Sequence, residues 1–147
     1  NSLMGIQLKR ELEQKLREKA RSLGVDDVVE FLGFVSDMKG FHQSIDIFAL
    51  SSLFEGFGFA QVEAMALGKP VVAFNVSSIP EVVDDGVTGL LAPEMDINTF
   101  AAHLETLVMD RDKRIALGRN GRERVVQLFE IHHIFSEFEH ILNIRNV

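Results

Sequence analysis

The chain has 147 residues, of which 46% are hydrophobic and 25% charged, so it is large and apolar enough to bury the core of one compact domain. Its formal net charge is −7, from 22 acidic and 15 basic residues. This balance argues against a nucleic-acid-binding domain, because neutralisation of phosphates supplies most of the affinity of such domains. Cysteine is absent, which excludes disulfides and thiolate metal sites. An anionic ligand must therefore be held by local geometry, such as backbone amides.

Helical and β-rich segments alternate along the first third of the chain. Leucines at helical spacing predict a helix over residues 8–23, with Gly24 as its stop signal. A short β-rich run over residues 28–32 is then typical of a strand that ends at Gly33. Asp37 is expected to cap a short helix that ends near residue 44, and residues 45–50 form a second apolar strand.

The same alternation continues to the C-terminus. A loop over residues 51–58 precedes a helix over 59–67, which Gly68 ends, and a strand over 70–74. A short helix opens at residues 79–81, with Pro80 in its first turn, and a strand follows at 89–92. Asp96 is expected to cap a helix that runs to residue 109, and two further helices lie near 113–129 and 132–144.

Short apolar strands that alternate with helices indicate an α/β fold, with a Rossmann-like parallel sheet covered by helices on both faces. No internal repeat or linker is found, so we expect a single α/β domain. In such sheets ligands bind beyond the carboxyl ends of the strands. The loops at 33–37 and 51–60 are the candidates, and parallel strands would place both around one crevice.

The glycine-containing loop before the third predicted helix is the main candidate for a ligand site. Gly56 and Gly58 allow a close turn, and the first amides of a helix that begins near Phe59 favour an anion such as phosphate. Glu63 has two acceptor oxygens that suit the adjacent hydroxyls of a ribose, and Glu55 lies nearer the phosphate end. The alternative that both glutamates are merely solvated stays open. The loop lacks the third glycine of a dinucleotide-binding fingerprint, which argues against an NAD site.

These residues resemble the signature of a known family. The quoted segments are Glu55-Gly56-Phe57-Gly58, Glu63-Ala64-Met65-Ala66 and Gly68-Lys69-Pro70-Val71-Val72-Ala73. They resemble the signature of the group 1 (family 4) glycosyltransferases, in which seven residues separate two glutamates, as they do here. Residues 31–37 resemble the family's base-binding loop, and residues 79–91 resemble the segment after its next strand. The resemblance covers roughly residues 8–129 in consistent order.

The resemblance implies one half of a GT-B architecture, in which two Rossmann-like domains face each other across a cleft. This chain is similar to the C-terminal domain, which binds the donor. The resemblance further implies that the N-terminal acceptor-binding domain is missing and that the C-terminal domain is truncated at its N-terminal edge. An arginine and a lysine that grip the diphosphate in the family have no counterpart here, and Lys69 is not a matched substitute. Activity of the isolated chain is therefore not expected.

The resemblance also implies contacts with a nucleoside-diphosphate sugar. Glu63 is implied to hold the ribose hydroxyls, and Glu55 to be the catalytic residue near the anomeric centre. The residues implied to contact the diphosphate and the transferred sugar are Gly56, Phe57, Gly58, Phe59, Ala60, Gln61 and Val62. The residues implied to border the base are Gly33, Phe34, Val35 and Met38.

Family members transfer the sugar with retention of anomeric configuration and, as a rule, without a metal or other cofactor. The chemical demand is stabilisation of a departing diphosphate. A departure from the family pattern is Ser77-Ser78, where paired glycines are often found. The five histidines show no metal-ligand spacing. The alternative function is a non-catalytic nucleotide-sugar-binding or interaction module. A receiver domain is rejected, because no phospho-accepting aspartate with an acidic pair is found.

Hydropathy and charge patterns give expectations for the cellular location and the self-association of the protein. No apolar run approaches the ~20 residues that span a bilayer, and no signal peptide is seen, so we expect a cytoplasmic protein. The basic stretch at 111–124 suits peripheral contact with the inner face of a membrane, although interleaved acidic residues favour an ordinary solvated helix. Apolar residues at helical spacing over 129–142 are typical of core packing. Partial exposure of this stripe would instead give self-association.

Overall fold

The computed structural model describes residues 3–56 and 58–129 of the chain. The chain forms two compact units, Asn1–Ser36 and Asp37–Val147. The first unit contains helix α1 (Leu3–Ser22), which begins earlier than predicted and is followed by Gly24 in a left-handed conformation (φ +66°). Within this unit the Arg17 guanidinium lies 4.3 Å from the centre of the Phe31 ring, so the segment after the helix packs against it.

The strand predicted for residues 28–32 is not formed. Val28 closes a turn, because its amide donates to the carbonyl oxygen of Val25 at 3.2 Å, and the next residues are irregular. A β-rich segment becomes a strand only where a neighbouring strand exchanges backbone hydrogen bonds with it. The sheet found among the described residues has three strands, and residues 28–32 contribute none of them.

The second unit contains a parallel sheet, as predicted. Its strands are β1 (Phe48–Leu50), β2 (Val71–Phe74) and β3 (Gly89–Ala92), which lie side by side in that order. The strand predicted over 45–50 is shorter than expected, since pairing with β2 begins only at Phe48. Among its described residues, the helices are α2 (Met38–Ser44), α3 (Phe59–Ala66), α4 (Ile79–Val82), α5 (Ile97–Met109) and α6 (Arg111–Phe129).

The central strand is buried on both faces, because helices cover the sheet from each side. All four residues of β2 are buried. Val71 and Ala73 belong to one hydrophobic cluster, together with Met65 of α3. Val72, which points to the other face, belongs to a second cluster with Leu107 of α5 and Leu117 of α6. The predicted Rossmann-like arrangement, with helices on both faces of a parallel sheet, is confirmed.

Two helix starts form as the sequence predicts. Asp37 caps α2 by accepting a hydrogen bond from the Gly40 amide at 2.9 Å. Asp96 caps α5 by accepting from the amide of Thr99 at 3.1 Å and from its hydroxyl at 2.6 Å. The hydrogen bond from the Thr99 hydroxyl, followed by that from its amide, lowers the pKa of the Asp96 carboxyl below its ordinary value.

Basic residues of α6 serve as hydrogen-bond donors to neighbouring helices. Arg124 donates through Nε to the carbonyl of Val82 at 2.8 Å and through Nη2 to that of Glu81 at 3.0 Å. Arg114 donates to the carbonyls of Leu107 and Val108 at the end of α5. None of the helices in the part of the chain that is described is long and apolar enough to cross a bilayer. The helix predicted over 132–144 and the apolar stripe over 129–142 lie outside the described residues, except for the backbone of Phe129 at the end of α6.

Helix α6 crosses the turn after α3 at a pair of glycines. A β-carbon on Gly118 would lie 2.0 Å from the carbonyl oxygen of Gly68, which is a backbone atom that cannot rotate away. Three residues further along the same helix, a β-carbon on Gly121 would lie 3.4 Å from Met65 Cγ, at ordinary contact distance. The two glycines therefore differ in their tolerance of alanine.

We expect Gly118→Ala to lower the free energy of unfolding by about 1–3 kcal/mol, because the added methyl group forces α6 away from α3. Gly121→Ala is the matched control, and its better helix propensity should keep it within about 1 kcal/mol of the parent. Urea denaturation followed by circular dichroism measures both values. Equal losses in the two variants would contradict close packing at Gly118.

Candidate functional site

The candidate site lies at the carboxyl ends of β1 and β2. The loop over residues 51–58 connects β1 to α3, and residues 75–78 connect β2 to α4. The two loops are joined by a hydrogen bond from the Ser78 hydroxyl to the carbonyl oxygen of Glu55, at 3.1 Å. This is the edge at which α/β sheets bind ligands. The prediction that the candidate loop at 51–60 begins at the carboxyl end of a strand of a parallel sheet is therefore confirmed.

Gly58 sets the start of α3. It is the N-cap residue and has φ +83° and ψ +43°, in the left-handed region. Its carbonyl accepts a hydrogen bond from the Val62 amide at 3.3 Å. The side chain of Gln61 fills the space beside it, since a β-carbon on Gly58 would lie 2.0 Å from Gln61 Nε2. Both the backbone conformation and this packing require glycine.

The first turn of α3 opens at this edge of the sheet. The first amides of any helix have no carbonyl one turn earlier and give the helix end a partial positive charge. Ala60 and Val62 are half-buried, whereas 71% of Phe59 is exposed. Gln61 is fully buried, and neither polar atom of its side chain has a hydrogen-bond partner among the described residues. The side chain of Gln61 therefore does not reach the surface at this helix end.

Glu63 lies about 6 Å along the helix axis from Phe59, given the rise of an α-helix. Its side chain is 53% exposed, and Oε2 lies 3.4 Å from Nε2 of His42. The carboxylate is therefore at the surface and is not turned into the core. Glu55 is half-buried and Gly56 exposed in the loop before it. Phe57, which was predicted as a contact of the transferred sugar, lies outside the described residues.

The four residues predicted to border a base do not all belong to the unit that contains α3. Gly33, Phe34 and Val35 lie in the first unit, where Phe34 is 88% exposed and Gly33 has φ +67°. Met38 is the first residue of α2 in the second unit. No strand precedes the loop over 33–37, so the expectation that this loop follows a strand of the parallel sheet is wrong. The base-binding role that the resemblance implies stays a prediction.

Three residues near the site, Ser77, Ser78 and His42, were given no role in the sequence analysis. Ser78 joins the two loops, and Ser77 adopts φ +50°, a conformation that glycine adopts without strain. Of the two serines, only Ser77 has a backbone that favours glycine, since Ser78 has φ −80°. His42 contacts Glu63 although the two residues are far apart in sequence. No local spacing rule connects them, since the contact depends on how α2 packs against α3.

The cation nearest to α3 in sequence is already engaged elsewhere. Lys69 donates a hydrogen bond from Nζ to the carbonyl oxygen of Gln43 at 3.3 Å, at the end of α2. This agrees with the expectation that Lys69 does not replace the missing cations. Within the described ranges, no three histidine, aspartate or glutamate side chains are grouped as metal ligands would be.

We expect Gly58→Ala to destabilise the chain by about 1–2 kcal/mol, because alanine is strained at positive φ and its methyl group would displace Gln61. Gly56→Ala in the same loop is the control, since its φ is not in the left-handed region and a β-carbon there meets no atom within 4 Å. Thermal unfolding compares the two variants. A Gly58→Ala variant as stable as Gly56→Ala would show that α3 does not depend on this turn.

Comparison with known proteins places this geometry in a family. The profile of the family described as "Glycosyl transferases group 1" matches residues 3–124. The D-inositol 3-phosphate glycosyltransferase of Corynebacterium kroppenstedtii is 38% identical over 111 residues, which are 74% of this chain and 25% of that protein. This chain thus spans about a quarter of the length of that relative.

Solved structures of similar fold agree with this assignment. Anabaena Alr3699/HepE in complex with UDP is 29% identical, with a TM-score of 0.84 over 92% of this chain and 37% of that one. The C-terminal domain of LpcC, a glycosyl transferase group 1 family protein from Francisella tularensis, is 28% identical, with a TM-score of 0.75 over 88% of this chain and 66% of that one. From its sequence and its fold alike, the chain belongs to the group 1 glycosyltransferases, whose structures have the GT-B fold.

Proposed function

We propose that this chain binds the nucleoside-diphosphate sugar from which a glycosyltransferase transfers a hexose. The observation that carries the proposal is the start of α3, where Gly58 turns the chain at the carboxyl end of β1 and Glu63 lies exposed one turn further on. A helix end and a carboxylate at this separation match a phosphate group and the sugar hydroxyls next to it. The UDP bound by the similar Anabaena protein supports a nucleotide ligand.

The backbone amides at the start of α3 bind the diphosphate in this proposal. The chain has a net charge of −7, so no general positive field attracts the ligand. The amides of Ala60 and Gln61, which precede the first helical hydrogen bond at Val62, instead supply a local positive potential together with the helix dipole. The same groups would stabilise the charge that develops on the diphosphate as its bond to the sugar breaks.

Glu63 and Glu55 have separate roles in this proposal. Glu63 accepts hydrogen bonds from two ribose hydroxyls, for which its exposed carboxylate offers two oxygens. Glu55 and the backbone of the following glycines contact the transferred sugar beside the diphosphate. The sugar passes to an acceptor hydroxyl with retention of configuration. The bond from its anomeric carbon to the diphosphate breaks, a new bond to the acceptor oxygen forms, and the hydroxyl proton goes to the departing diphosphate. A reaction without a metal remains a prediction from the family resemblance.

The whole protein is proposed to contain a second domain that binds the acceptor. This proposal rests on length, because the chain spans only 25% of the Corynebacterium relative and 37% of the Anabaena structure. The likeness to the C-terminal domain of the Francisella protein supports a C-terminal position. We further propose that the protein works in the cytoplasm and that the isolated chain binds the donor but does not transfer the sugar.

Calorimetric titration of the 147-residue chain with UDP, GDP and ADP tests this proposal. We expect one of the three to bind, with Glu63→Ala weakening its binding about tenfold, because hydrogen bonds to a charged group are lost. Glu105→Ala, which removes an exposed glutamate from α5, is the matched control and should bind as the parent does. The proposal fails if none of the three nucleotides binds the folded chain at millimolar concentration, or if both variants bind alike.

A further inference from the structure

His42 is a buried polar residue whose role the proposed function does not explain. Only 1% of it is exposed, and its ring lies between those of Phe41 and Phe48, with centroid distances of 5.3 and 5.4 Å. Neither ring nitrogen has a hydrogen-bond partner among the described residues. Buried polar groups are nearly always hydrogen-bonded, because an unpaired one loses its water without replacement. An exception beside a ligand site requires a functional explanation.

His42 approaches the carboxylate of Glu63. The distance from Nε2 to Oε2 is 3.4 Å, which is a contact between the two groups but is longer than a normal hydrogen bond. A shift of a few tenths of an ångström by the exposed glutamate side chain would complete the bond. The two residues differ sharply in burial, since 53% of the glutamate side chain is exposed whereas the imidazole is enclosed. The fixed member of the pair is therefore the histidine.

The buried environment also favours one form of the imidazole ring. Nδ1 has no partner among the described residues, so a proton on that nitrogen would be a buried and unpaired donor. The tautomer with its proton on Nε2 leaves Nδ1 as an unpaired acceptor instead, and it directs a donor, not a lone pair, at Glu63. In that form His42 offers the carboxylate one hydrogen bond from a rigid site.

We propose that His42 is a positioning residue that fixes the Glu63 carboxylate for the ribose. It donates Nε2–H to Oε2, which restricts the rotation of an otherwise mobile side chain and leaves Oε1 and the second lone pair of Oε2 for the two hydroxyls. This inference rests on the proposed role of Glu63 in nucleotide binding. It extends the site from α3 to α2 and gives the buried histidine a function.

The test uses calorimetry on the 147-residue chain to compare UDP with 2′,3′-dideoxy-UDP, which lacks both ribose hydroxyls. If GDP or ADP binds better than UDP, that nucleotide and its dideoxy form are used instead. His42→Phe should weaken binding of the nucleotide about three- to tenfold and leave binding of the dideoxy form unchanged, because the lost bond acts only through the ribose. His42→Gln should restore most of the affinity, since its amide nitrogen donates from a similar position. In a Glu63→Ala background, His42→Phe should have no further effect. The control is His103→Phe, because His103 contacts the carbonyl of Leu91 on β3 at 3.3 Å.

The outcomes separate the two proposals. If His42→Phe weakens binding of the nucleotide and of its dideoxy form equally, the histidine only supports the fold and the inference is overturned. If Glu63→Ala weakens nucleotide binding but His42→Phe does not, the inference about His42 is overturned and the proposed function stands. If Glu63→Ala has no effect, or if no nucleotide binds, the proposed function and this inference fail together.

A second measurement needs no variant at His42. Nitrogen-15 NMR of the histidine side chains should show a protonated Nε2 and an unprotonated Nδ1 for His42. The Nε2 shift should change in Glu63→Ala, in which the surface substitution leaves the core intact. A proton on Nδ1, or an unchanged Nε2 shift, would overturn the inference even if His42→Phe does not fold.

Discussion

The left-handed backbone of Gly58 is the constraint on which the candidate site depends. With φ +83° this residue turns the chain from the loop after β1 directly into α3, and the buried Gln61 side chain occupies the place where a β-carbon would be. A residue with a β-carbon would be strained in this conformation and would displace Gln61. Because the start of α3 is fixed here, the first-turn amides and Glu63 have a defined position relative to the end of the sheet.

The surrounding residues hold this turn in place from several sides. Ser78 ties the loop to the segment after β2 through the carbonyl of Glu55, and Met65 anchors α3 in the core against the sheet. His42 reaches Glu63 from α2. An acidic chain can bind an anionic donor in this way, since the positive potential comes from oriented backbone groups and not from net charge. The positive potential of the site thus depends on the orientation of backbone amides more than on charged side chains.

Sequence predicted those parts of the fold that depend on local signals. The α5 helix begins after its aspartate cap, β3 has the predicted limits, and α3 ends before Gly68, because capping and turn residues act on their immediate neighbours. The strand expected at 28–32 failed because strand formation requires a partner that sequence does not reveal. The motif that runs from Glu55 to Glu63 predicted the position of the turn and of the two glutamates of the site. The burial of Gln61 and the contact of His42 with Glu63 arise from packing between elements, which no spacing rule contains.

The central claim is that a nucleotide binds at the start of α3. The most direct test is an NMR titration of the nitrogen-15-labelled chain with UDP, and with GDP and ADP in parallel, in which every assigned backbone amide reports on its own surroundings. We expect the largest shift changes at Ala60, Gln61, Val62 and Glu63, while Leu107 on the opposite face of the sheet stays unchanged. Saturable changes that leave the α3 amides unaffected and cluster elsewhere would contradict the account.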